Sequence, residues 1–165
     1  MKVSFVSGLI VVLLATPLSA KGITTKITLR ETSLKTSFEI TDPSVLEGFN
    51  VWAGPGTFVN EVEGTRGFII DWPAGIVVER PSGLRRYEVM FYVHSSNSGD
   101  QQLAYVVFYE NDPRSGQGFV YLPGHSDEQY PLNTRAIFRG HDLEGNWFRA
   151  TTPWQNAVRM SISAR

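Results

Sequence analysis

From Leu84 to Leu122 three stretches rich in apolar, β-branched and aromatic residues, the first alternating in character, are separated by only two polar clusters. A period of two puts successive side chains on opposite faces of an extended strand. The stretch therefore reads as a three-stranded antiparallel meander over Leu84 to His94, Gln102 to Asn111 and Gly118 to Leu122. The interruptions, Ser95 to Asp100 and Asp112 to Gln117, are rich in Ser, Asn, Asp, Pro and Gly, residues that favour turns. Asp112-Pro113 suits the first two positions of a type I turn, because the proline ring presets φ and the aspartate can bond backbone further along.

In the first strand Tyr87, Val89, Phe91 and Val93 form one wholly apolar face, while Arg86, Glu88, Met90, Tyr92 and His94 form a mixed one. In the second, Leu103, Tyr105, Val107 and Tyr109 oppose Ala104, Val106 and Phe108, so both faces are apolar and the strand belongs inside its sheet. Phe119 and Tyr121 oppose Val120 and Leu122 in the short third strand.

Residues 1–20 have the form of a signal peptide: Lys2 at the start, an apolar run from Val6 to Leu14, and Leu18-Ser19-Ala20 before a cut at Lys21. That run is shorter than the ~20 residues a bilayer span needs. No later stretch is a second span, so the processed chain is expected to have no transmembrane segment. Cleavage would leave 145 residues, a single domain, with 14 Lys and Arg against 16 Asp and Glu, a formal charge of −2. Arg85-Arg86 is the only adjacent basic pair, which argues against nucleic acid as a partner. The chain has no cysteine and no Asn-x-Ser/Thr acceptor, which points to a bacterial periplasmic or secreted protein and excludes thiol chemistry.

Outside the meander, strands are expected at Ile23 to Arg30, Thr36 to Thr41, Phe49 to Trp52, Gly67 to Trp72, Ile76 to Glu79, Leu132 to Arg139 and Gly145 to Ala150. Asp42-Pro43 with Gly48 spells a single helical turn. Thr152-Pro153 starts one or two turns in which Trp154, Ala157 and Val158 share a face. Many short strands punctuated by Gly and Pro predict an all-β antiparallel sandwich of about seven to nine strands, with a closed barrel as the alternative.

The chemistry-bearing residues are sparse. His94 and His125 with Asp127 and Glu128 would supply histidine and carboxylate ligands to a metal if the strands alternate end to end, whereas His141, Asp142 and Glu144 would lie at the opposite end. Asp71, Glu88 and Glu110 sit in strands and would suit paired-carboxylate chemistry if they face one cleft. Ser115 is better explained by its turn than as a nucleophile. The surplus lies in aromatic residues. Trp52, Trp72, Trp147 and Trp154 would hold a sugar or peptide if displayed, and would fill a core if not. Gly145-Asn146-Trp147 resembles the Gly-x-Trp signature that opens the first strand of lipocalin-like barrels. Here it stands near the end of the chain, so the likeness covers three residues and carries no function.

These residues lead to an exported, non-catalytic binding or interaction module that needs no cofactor and meets an unknown protein or glycan. The alternatives are a carbohydrate-binding domain that uses surface aromatics, and a small metal- or carboxylate-dependent hydrolase. A displayed row of tryptophans favours the first alternative, and histidines converging with a carboxylate favour the second.

Overall fold

A computed structural model describes residues 23–34, 36–59, 62–63, 68–94 and 100–163. Its elements are β1 (Thr24–Glu31), β2 (Ser37–Ile40), α1 (Pro43–Leu46), β3 (Phe58–Val59), β4 (Val62–Glu63), a 3-10 turn at Trp72–Ala74, β5 (Arg85–His94), β6 (Gln101–Asn111), β7 (Gly118–Tyr121), α2 (Tyr130–Ala136), β8 (Trp147–Arg149) and α3 (Thr152–Ser163). The leader expected over residues 1–20, the turn at 95–99 and most of the connection at 60–66 lie outside the described residues.

Six strands form one open antiparallel sheet in the order β2-β1-β5-β6-β7-β8, and β3 pairs with β4 in a separate hairpin. The protein is therefore all-β and antiparallel, and its main sheet ends at β2 and β8 rather than closing on itself. The meander is present as the sequence implied, with β6 hydrogen-bonded between β5 and β7. Tyr87, Val89, Phe91, Tyr105, Val107, Tyr109, Val120 and Leu122 all turn to the buried face. A bulge between Phe91 and Tyr92 sets Leu103, not Ala104, opposite Tyr92. A second irregularity between Thr24 and Lys26 breaks the expected alternation of β1, so Thr24 is buried while Ile23 is exposed.

The buried face is covered by α1, α3 and the chain around Phe49, Val51 and Phe68 to Ile70. α3 runs for 12 residues, longer than the one or two turns expected, and buries the face read from its spacing: Trp154, Ala157 and Val158. Trp154 meets Phe49 edge to face at 5.1 Å and Tyr109 at 5.9 Å. α1 starts as the sequence indicated, with Asp42 accepting from the Ser44 N–H and Pro43 in the first turn.

Four expected strands are replaced by other structure. Phe49 to Trp52 runs into a turn. Of the strand expected over Gly67 to Trp72, Gly67 lies outside the described residues and the rest gives a bridge between Ile70 and Ala150 followed by the 3-10 turn. Ile76 to Glu79 is reduced to a single bridge at Ile76. The bridge at Ile70, the one from Ile76 to Phe148 and the Val77 N–H to Trp147 C=O bond cover the outer edge of β8. The largest correction concerns Leu132 to Arg139. Its first part is the helix α2, with Pro131 in the first turn, and it does not cross the sheet.

The physical cause is a gap in the ladder. β7 reaches β6 only from Phe108 onward, leaving one edge of Val106 without a strand partner. Asn133 fills that place with its side-chain amide: the Val106 N–H donates to Oδ1 at 2.8 Å, and Nδ2 donates to the Val106 C=O at 2.6 Å. Beyond α2 the expected faces are also reversed, because Phe138 is 59% exposed and Arg139 only 1%. Among the described residues, no helix is long and apolar enough to cross a membrane.

Candidate functional site

Two places gather polar and aromatic side chains in unusual arrangements, one inside the protein and one on its surface. The inner one is built on Arg139. Its guanidinium donates to the carbonyls of Val51 at 3.0 Å, Ala53 at 2.9 Å and Pro55 at 3.0 Å, and to the Tyr105 hydroxyl at 3.3 Å. Phe68, Trp72 and Tyr105 present ring faces 4.9, 5.0 and 5.5 Å from the same cation. Among the described residues no carboxylate pairs with this guanidinium; Glu144 accepts from the Arg139 backbone N–H instead.

A buried cation is tolerated when each of its nitrogens is hydrogen-bonded and aromatic faces replace part of its hydration. The loop around it requires Gly54 and Gly56, which have φ of 104° and 74°. A Cβ on Gly54 would lie 2.5 Å from Trp72 Nε1, and one on Gly56 would lie 2.6 Å from the Arg139 Cα. This is a structural fastening of the 51–57 loop to the sheet, closed to any ligand.

The surface arrangement lies on the face of the sheet opposite the core. Register aligns Arg30 of β1, Glu88 of β5, Phe108 of β6, Tyr121 of β7 and Trp147 of β8 in one row across five strands. Tyr121 is 5.0 Å from Trp147 and 6.3 Å from Phe108, ring centre to ring centre. Guanidiniums cap the two ends, Arg80 at 3.5 Å from Trp147 and Arg86 at 4.5 Å from Phe108. All three rings are half-buried. Arg30 is salt-bridged to Glu88, and Arg80 to Glu110. The Tyr121 hydroxyl donates to Asp127 at 2.9 Å, and Asp127 also accepts from the Gly124 N–H at 2.7 Å. Burial, and then the nearby Asp127 carboxylate, hold the Tyr121 hydroxyl above the usual phenol range, so the ring stays neutral.

The four tryptophans do not share one surface. Trp154 is in the core, Trp72 stacks on Phe68 and meets Phe148 at 5.3 Å, and Trp52 is half-buried against the core cluster. Trp147 alone stands on the outer row, where its partners are a tyrosine and a phenylalanine.

His94 ends β5, while His125 stacks on Tyr130 at 5.3 Å and Glu128 is exposed. Since α2 does not traverse the sheet, one connection from β7 to β8 carries both His125 and His141, and the expected assignment of His141 to the opposite end is corrected. Gly124 and Gly145 lie against each other where that connection begins and ends. Among the described residues, no three His, Asp or Glu side chains are grouped to hold a metal ion. Glu88 and Glu110 do share the outer face, each bound to an arginine, whereas Asp71 belongs to the segment beyond β8.

A cleft of about 240 Å³ lies elsewhere, between the end of β2, α1 and α3, and is lined by Ile40, Val45, Ala157 and Met160 with Asp42 at its rim. Hydrogen bonds from Ser44 hold the Asp42 carboxyl below its ordinary value, so this acid is already used as a helix cap.

The sequence reading missed Phe108, Tyr121, Arg80 and Arg86 as members of a site. Their alternation was visible, but their alignment depends on the register of four strands. No protein-family model, curated protein or solved structure matches the chain.

Proposed function

We propose that this chain is an exported, non-catalytic binding module, acting in the periplasm or outside the cell, whose ligand surface is the outer face of the sheet and whose ligand is a carbohydrate. The observation that carries this reading is the half-buried row of Phe108, Tyr121 and Trp147 with a guanidinium at each end. Sugars offer apolar C–H faces to aromatic rings and hydroxyls to charged hydrogen-bonding groups. This face supplies both, through the three rings and through Arg30, Glu88, Arg80 and Glu110. Peptide recognition generally uses a free strand edge or an apolar groove. The row lies instead across the broad side of paired strands, where main-chain groups are already bonded. The domain is read as residues 21–165, a two-layer unit in which helices and loops take much of the place of a second sheet.

Affinity electrophoresis through soluble polysaccharides tests the proposal. Wild type should be retarded, and Trp147→Ala and Tyr121→Ala should lose the retardation while their circular dichroism is unchanged. Undiminished retardation of both variants would remove the outer face as the site.

A further inference from the structure

We infer that the ligand of this face is an acidic polysaccharide, a chain bearing carboxylate or sulfate groups at intervals. This rests on the carbohydrate reading above and adds the sign and spacing of charge.

Five cations project from the outer face or lie across it: Lys26, Arg30, Arg80, Arg86 and Arg149. Four carboxylates stand on or against the face; Glu39, Glu88 and Glu110 are engaged by Lys26, Arg30 and Arg80, and the fourth is Asp127 beside Tyr121. Among the described residues Arg86 and Arg149 have no ion pair, and both are exposed. A domain whose formal charge over residues 21–165 is −2 thus keeps uncompensated positive charge on this side. Asp127 accepts from the Tyr121 hydroxyl and the Gly124 N–H through the same oxygen, Oδ2, so one of the five cations remains in excess over the four acids.

The register places these arginines. Arg86, Glu110, Phe119 and Arg149 are partners on β5, β6, β7 and β8, so the two arginines without an ion pair start from backbone positions three strands apart. At ~4.8 Å per strand that is about 14 Å. The aromatic row runs parallel, two residues further along the strands, or about 7 Å away. A linear polymer laid across the strands would run along the row of Phe108, Tyr121 and Trp147, whose end rings already carry Arg86 and Arg80, with its acid groups toward Arg86 and Arg149. Ring edges carry the positive part of the aromatic quadrupole, which adds to the attraction for anions. Guanidinium groups suit carboxylate and sulfate oxygens because they donate paired hydrogen bonds.

Polygalacturonate, its fully methyl-esterified form, dextran sulfate, uncharged dextran, and vesicles of anionic and neutral phospholipid are the probes, with binding followed by calorimetry at low and at physiological salt. Wild type should bind polygalacturonate or dextran sulfate, and esterification should weaken polygalacturonate binding. Arg86→Gln and Arg149→Gln should each weaken binding about tenfold or more, with unchanged circular dichroism, and salt should reduce what remains. Equal affinity for charged and uncharged polymers would overturn the acidic inference and leave the carbohydrate reading standing. Binding to anionic vesicles alone, or to none of the probes, would overturn both.

Discussion

Replacing Arg139 with methionine should destabilise the protein by about 3 kcal/mol or more. The side chain is 1% exposed and spends its donors on the carbonyls of Val51, Ala53 and Pro55 and on Tyr105. Methionine fills much of the same space but donates nothing, so three carbonyls lose their partner. Each unsatisfied buried group costs about 1 to 3 kcal/mol, roughly 3 to 9 for three, and the part-buried Ala53 and Pro55 carbonyls pull this toward the low end. Lost contact between the cation and its aromatic faces adds up to about 2 more. Two effects work the other way: the buried charge no longer has to be desolvated, a relief of several kcal/mol, and the loop can rearrange to let water reach its carbonyls. The low end of the range is therefore the expected result, equivalent to a fall in melting temperature of about 10 °C in a domain of this size.

Arg139→Lys keeps the charge but not the planar fork, and should fall between wild type and Arg139→Met. Urea unfolding followed by circular dichroism gives the magnitude, and limited proteolysis within 51–57 shows whether the loop has come loose. A loss under about 1 kcal/mol with an unchanged proteolysis pattern would refute the reasoning, since the carbonyls would then be satisfied without the arginine.

Asn133→Leu should cost about 2 to 4 kcal/mol in urea melts because it strands both the N–H and the C=O of Val106; a near-neutral effect would mean the amide is not replacing a strand there. Asn133→Asp retains an acceptor for the N–H but sets a carboxylate against the Val106 C=O, so its deficit should be greatest at neutral pH and shrink in acid, where the protonated acid can donate. Alkali should unfold the wild type: burial raises the hydroxyl pKa of Tyr87, Tyr105 and Tyr109 above the ordinary 10.0. The unfolded chain would ionise first, so stability is fully present below about pH 10 and falls as pH rises through the raised folded values. Ionisation of Tyr87, Tyr105 and Tyr109, followed through single Tyr→Phe difference spectra, should coincide with the loss of ellipticity, and ionisation of these three well before the fold is lost would contradict this.

What the sequence determined by itself was local. The alternation of Tyr87, Val89, Phe91 and Val93, and the spacing of Trp154, Ala157 and Val158, identified the buried side of β5 and of α3. A strand or a helix must turn one face to the core, and that face is written in a period of two or near four. Asp42-Pro43 likewise began α1, because a cap acts within a few residues of itself.

The tertiary structure alone decided the rest. Leu132 to Arg139 alternates well enough to suggest a strand, yet β6 offered Val106 an empty edge and Asn133 took it from a helix. Arg139 is buried and Phe138 exposed because three carbonyls and three rings from distant parts of the chain converge on the cation. The outer row joins residues 80 and 86 to 147 through strand register, and one residue of slippage would turn its members to the other face. Periodicity reports which side of an element is apolar. Which elements meet, and which charges are left without a partner when they do, depends on contacts between residues far apart in the chain.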